Sequence, residues 1–117
     1  MILALDGQGP RDRLRVGPNT ILVTGSGSTE WRKGPDLFIQ VAHLLRKRRG
    51  FDGIAFVWVG GNETEVRLHE CRHDVNQLDL AESVHLLESM PNPFPYFAAS
   101  DVFVLTSRED PLSARHA

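Results

Sequence analysis

The run Ile54-Ala55-Phe56-Val57-Trp58-Val59 constrains the fold more than any other stretch. A strand with one wet face alternates apolar and polar residues; this one does not. Such a strand is buried on both faces, as parallel sheets require and one-sided antiparallel sheets do not. Gly60-Gly61 stops it. The flanking segments follow the same logic. Thr20-Ile21-Leu22-Val23-Thr24 is short, apolar and β-branched, and reads as a first strand broken by Gly25-Ser26-Gly27-Ser28. Val84-His85-Leu86-Leu87 and Val102-Phe103-Val104-Leu105 read as the third and fourth strands. Between the first two strands, Gly34 is a cap and Pro35 suits the first helical position. Leu37, Phe38, Val41, Leu44 and Leu45 then recur as one apolar stripe, and Gly50 ends the helix. Asn62, with Glu65 three places on, predicts a capping box for a second helix that turns Leu68, Cys71, Val75 and Leu78 to one side. Prolines break Pro91 to Pro95 before a short helix over Tyr96 to Ala99. Strands alternating with helices build a doubly wound parallel α/β sheet, Rossmann-like, with about four strands and helices on both faces. Residues 1–19 read as a lead-in with a short helix over Arg11 to Val16, residues 20–112 as the domain, and residues 113–117 as a tail.

Composition closes off other classes. The 117 residues suffice for one domain with one ordinary core. A net charge of −2 gives no electrostatic footprint for nucleic acid. The one basic run, Arg46-Lys47-Arg48-Arg49, suits a helix C-terminus. Cys71 is the single cysteine, so no internal disulfide forms, which fits a reducing cytosol. No apolar run reaches the ~20 residues that span a bilayer. The start MILALDGQGP lacks the features of a signal peptide. A cytoplasmic location, or the cytoplasmic face of a membrane, is expected.

In a doubly wound sheet, ligands bind beyond the C-terminal strand ends, where strand order reverses. If the order is 3-2-1-4, that point lies between the first and fourth strands. The loops Gly25 to Lys33 and Thr106 to Asp110 meet there. Gly25, Ser26 and Gly27 expose backbone N–H groups, the following helix points its positive end the same way, and Lys33 adds a charge. Together these suit a phosphate or diphosphate. A tight turn beside a solvated lysine accounts for the same residues, and physics alone leaves both open. The loop is not GxGxxG, because Glu30 stands where the third glycine belongs, and no GK[ST] is present.

His69-Glu70-Cys71-Arg72-His73 matches the HExxH zinc pattern. At ~100° per residue, however, both histidines face away from the apolar side. No third ligand follows, so no metal is expected. His43 and His85 read as packing or surface residues, Cys71 as a small core residue and Trp58 as core. Trp31, beside Lys33, either flanks a ligand or packs on the domain.

Several blocks together carry a resemblance. Ile21-Leu22-Val23-Thr24-Gly25, then Arg32-Lys33-Gly34-Pro35-Asp36-Leu37-Phe38-Ile39, resemble the first strand and helix start of the group 1 (family 4) glycosyltransferases. Phe56 to Gly61, Val84 to Leu87 and Pro95 to Asp110 continue it in the family's order, over residues 11 to about 112. The resemblance implies the C-terminal, donor-binding half of a GT-B fold, with a nucleoside diphosphate sugar such as a UDP- or GDP-sugar as substrate and no further cofactor. Transfer in this family is typically metal-independent and retaining. Lys33 would neutralise the diphosphate. The family often has an arginine six places earlier; here that position is Gly27, leaving Arg32 to substitute. Ser107 lies in the donor loop. Asp110, with Glu109 beside it, matches the first of two acidic positions, the one that touches the donor sugar; a helix cap is the other reading of Asp110. The second acidic position falls beyond Ala117, and the N-terminal acceptor domain is missing, so the chain alone is expected not to turn over. Backbone groups near Leu87 and Glu88 would meet the base. The exposed edge of the fourth strand invites self-association. The alternatives are a non-catalytic Rossmann-like module that binds a nucleotide or a protein and, more remotely, a zinc hydrolase.

Overall fold

The computed structural model describes residues 8–49, 53–62 and 64–108. In chain order they form α1 (Gln8–Arg13), β1 (Ile21–Ser26), a 3-10 turn (Trp31–Lys33), α2 (Pro35–Arg49), β2 (Ile54–Gly61), α3 (Val66–Gln77), β3 (Val84–Glu88), α4 (Phe94–Ala99) and β4 (Val102–Phe103). The strands make one parallel sheet, as the alternation of strands and helices leads one to expect, and their order is β3-β2-β1-β4. β1 pairs with β2 from Ile21↔Ile54 to Ser26↔Val59. On its other side β1 meets β4 only through Val23↔Val102 and Thr24↔Phe103.

The apolar run of β2 lies where its composition demands. Ala55 to Val59 are all buried. Alternate residues feed two cores. Phe56 and Trp58 pack with Val23 of β1, Phe38 of α2 and Val75 of α3. Ala55, Val57 and Val59 pack with Leu14, Leu22 of β1 and Tyr96 of α4 on the other face. Leu14 makes the segment after α1 part of the core. Arg11 ties the same segment to the sheet, donating to the Thr20 and Ala99 carbonyls at 2.7 and 3.1 Å and to Asp101 at 3.0 Å.

Five local expectations change. Gly25 does not break β1; the strand runs on through Ser26. A Cβ at Gly25 would lie 2.8 Å from the Trp58 ring and 3.0 Å from Phe38, so this glycine makes room for aromatics. The stripe on α2 is also different. Phe38, Ile39 and Ala42 are buried with Leu45 against them, whereas Leu37, Val41 and Leu44 are 37%, 38% and 51% exposed. Two apolar stripes with the same spacing run side by side here, and only the sheet decides which turns inward. The capping box of α3 does not form: the helix starts at Val66, and Glu65, its N-cap residue, makes no side-chain cap bond. Asn62 instead accepts from the Thr64 N–H at 3.0 Å, and Glu65 accepts from the hydroxyl of buried Thr29. β2 extends through Gly60 and Gly61, with its register shifting between Val59 and Gly61, while β4 ends at Phe103. Gly50, read as the stop of α2, lies outside the described residues.

Candidate functional site

The site is assembled where β1 and β4 end. Gly27 leaves β1 with its N–H bonded to the Val59 carbonyl at 3.0 Å and its own carbonyl accepting from the Trp58 indole at 2.9 Å. Gly60 crosses that carbonyl closely: a Cβ there would stand 2.3 Å from the Gly27 oxygen. The bare Cα of Gly27 is in turn covered by Lys33, whose Cγ and Cδ would lie 3.4 Å from a Cβ at Gly27. The lysine stem thus rests on the glycine at the strand exit.

Behind Lys33 the chain turns sharply. The 3-10 turn closes on Gly34, which is left-handed at φ 73. Its carbonyl accepts from the Phe38 N–H at 3.1 Å, which starts α2 with Pro35 in the first turn. The exit of β4 presses against this corner. The Thr106 hydroxyl donates to the Lys33 carbonyl at 3.2 Å, and the Arg108 N–H to the Arg32 carbonyl at 2.7 Å. The Arg108 guanidinium takes both Asp36 carboxylate oxygens, at 2.8 and 2.7 Å, and lies 4.4 Å over the Trp31 ring. That guanidinium holds the Asp36 carboxyl below the usual carboxylate range. The corner therefore joins a lysine stem and the positive end of α2, an arrangement that favours an anion. The Gly27 N–H, expected from the sequence to be exposed, is instead spent on the Val59 carbonyl, because the strand pairing runs on to this residue.

The sequence pattern described as "Glycosyl transferases group 1" matches residues 18–115, most of the chain. The chain belongs to the group 1 glycosyl transferases. No protein of curated function matches it significantly. Among solved structures, HepE from Anabaena, in complex with UDP and glucose, is 20% identical, with a TM-score of 0.72 over 87% of this chain and 27% of that one. A glycosyltransferase from Rickettsia africae is 14% identical, with a TM-score of 0.71 over 86% of this chain and 26% of that one. The C-terminal domain of the group 1 protein LpcC from Francisella tularensis is 18% identical, with a TM-score of 0.70 over 90% of this chain and 55% of that one. The fold is thus that of group 1 glycosyltransferases, and the chain spans about a quarter of the length of the first two.

Within this group 1 domain, the residues singled out from sequence fall into sets. Ser26, Gly27, Arg32, Lys33 and Ser107 gather at the exits of β1 and β4. Gly25 lies just beneath, in the strand. Arg32 is held at 2.9 Å by Glu30, which engages the cation considered as a substitute for the family arginine. Leu87 and Glu88 end β3, at the opposite edge of the sheet from β4. Glu109 and Asp110 lie outside the described residues. His69 and His73 are exposed on α3. Cys71 between them is buried, and burial pushes its thiol up to about 11, which leaves it little nucleophilic character near neutrality. Burial also pushes His85 down. Among the described residues no group of His, Cys, Asp and Glu is arranged to hold a metal ion. No helix among them is long and apolar enough to cross a membrane.

Sequence reasoning missed the Arg108–Asp36–Trp31 cluster. Asp36 and Arg108 both stand in the blocks that carry the family resemblance, but they are 72 residues apart, and nothing local says that they meet.

Proposed function

We propose that this chain is the donor-binding part of a glycosyltransferase that moves a sugar from a nucleoside diphosphate sugar, such as a UDP- or GDP-sugar, to an acceptor. The carrying observation is the Lys33 stem laid over Gly27 at the switch point between β1 and β4, in a group 1 family member. A diphosphate leaving group gains charge as the glycosidic bond breaks, so a fixed ammonium beside it acts most strongly in the transition state. On this reading, Lys33 and the start of α2 neutralise the diphosphate without a metal, and transfer retains anomeric configuration. Ser26, Arg32 and Ser107 surround the phosphates, Gly27 leaves room for the Lys33 stem beside them, and Gly25 shapes the strand beneath. Asp110 or Glu109 contacts the donor sugar. Backbone groups at Leu87 and Glu88 meet the base: from β1 to β3 is two strand spacings, about 10 Å, a reach that a nucleoside diphosphate covers. The UDP and glucose in the HepE complex support a UDP-sugar. The acceptor is bound by a separate N-terminal domain, so this chain binds donor without turning over. A sugar-nucleotide substrate and a lone buried cysteine fit a cytoplasmic protein or one at the cytoplasmic face of a membrane.

UDP or GDP is therefore expected to raise the melting temperature of the chain. At a hundred times its Kd, a ligand stabilises by about 2.7 kcal/mol, which for a domain of this size is more than about 10 °C. Lys33→Ala is expected to abolish the shift. A melting temperature indifferent to both nucleotides would favour the interaction-module reading, and a shift that survives Lys33→Ala would remove Lys33 from the site.

The isolated chain is further expected to self-associate. Val102 and Phe103 of β4 are each 47% exposed and point to opposite faces, and among the described residues no strand pairs with the outer edge. Size-exclusion elution should shift to larger species with concentration; a concentration-independent monomer peak would refute it.

A further inference from the structure

Arg108 makes four kinds of contact with the corner that carries Lys33. Its N–H bonds the Arg32 carbonyl at 2.7 Å, and its guanidinium bonds the Trp31 carbonyl at 2.7 Å. The same guanidinium grips both oxygens of Asp36 and covers the Trp31 ring. Only a planar fork can chelate a carboxylate and stack on an indole at once. Lys33 is enclosed by this set: Trp31 and Arg32 precede it, Asp36 comes after it, and its own carbonyl is held by Thr106.

We infer that Arg108 is a positioning residue for the donor diphosphate, fixing the turn that carries Lys33 against the exit of β4 so that the lysine stem stands over Gly27 before ligand arrives. The inference rests on the reading of Lys33 as the diphosphate ligand. Its physical content is pre-organisation: a turn already fixed is not ordered at the expense of binding. The molecule supplies a matched control. Arg11 pins the opposite end of β4, through Ala99 and Asp101, and stands outside the site.

The test is UDP affinity by calorimetry, with melting temperatures, on the whole chain. Arg108→Ala is expected to weaken UDP about tenfold. Arg108→Lys should recover only part of that, because an ammonium does not chelate both carboxylate oxygens. Asp36→Asn combined with Arg108→Ala should bind no more weakly than Arg108→Ala alone, the mark of a shared interaction. Arg11→Ala should lower the melting temperature and leave UDP affinity unchanged. If Arg108→Ala binds as tightly as wild type, or if Arg11→Ala weakens binding equally, Arg108 contributes only to general stability and the inference is overturned. A wild-type chain that binds no UDP overturns the donor-site reading and this inference together.

Discussion

Trp58→Ala is expected to cost about 4 kcal/mol of folding stability, the middle of what truncating a buried aromatic costs. Trp58 is 1% exposed and is the largest of the fully buried side chains. Its ring meets Phe38 edge-on, with centroids 5.3 Å apart, and fills the space that Gly25 leaves open. Truncation empties a volume between the Gly25 backbone and the Phe38 ring. The indole also satisfies the Gly27 carbonyl, so the variant orphans an acceptor at the strand exit. Trp58→Phe separates the two effects. It keeps most of the ring and loses the donor, for about 2 kcal/mol. Urea unfolding followed by circular dichroism measures both, since fluorescence changes with the tryptophan itself. A cost below about 1 kcal/mol for Trp58→Ala would mean that the β2 core is not built as described.

Gly34→Ala is expected to be nearly as damaging, at about 3 kcal/mol, from two sources. A left-handed φ of 73 strains alanine, and its Cβ would fall 2.0 Å from the Thr106 carbonyl oxygen. The neighbour is backbone, so relief requires the β4 exit to move away from the start of α2. Gly34→Asn divides the terms, because asparagine tolerates the left-handed region but still carries a Cβ. The expected order of melting temperatures is wild type, then Asn, then Ala, with both variants well below wild type and both deaf to UDP. An asparagine variant as stable as wild type would show that the close approach to Thr106 is not tight.

The class of the sheet was legible because it derives from one-dimensional facts, whereas its strand order entered only as a condition. Ile54 to Val59 has no polar face, and a chain that alternates strands with helices has few ways to bury it. The illegible features depend on partners distant in sequence. Gly25 looks like a turn residue until Trp58 and Phe38 are seen to fill its missing side chain. The stripe on α2 was ambiguous because Phe38, Ala42 and Leu45 share their spacing with Leu37, Val41 and Leu44, and periodicity has no term for which stripe meets a sheet. The capping box failed because Thr29, far upstream, claims Glu65. For the site, Lys33 and its glycine loop were readable as a local pattern. The arginine that braces them was not, since its carboxylate partner stands 72 residues away in the sequence.

The seam between β1 and β4 is the shortest in the sheet, two paired residues against six between β1 and β2. Thr106 and Arg108, which hold one side of the corner around Lys33, stand just past that seam. Local opening starts where buried contacts are fewest, so β4 can detach while β1, β2 and β3 stay zipped. A tenant that bridges both sides of the anion corner then works as a clasp on the shortest joint of the sheet.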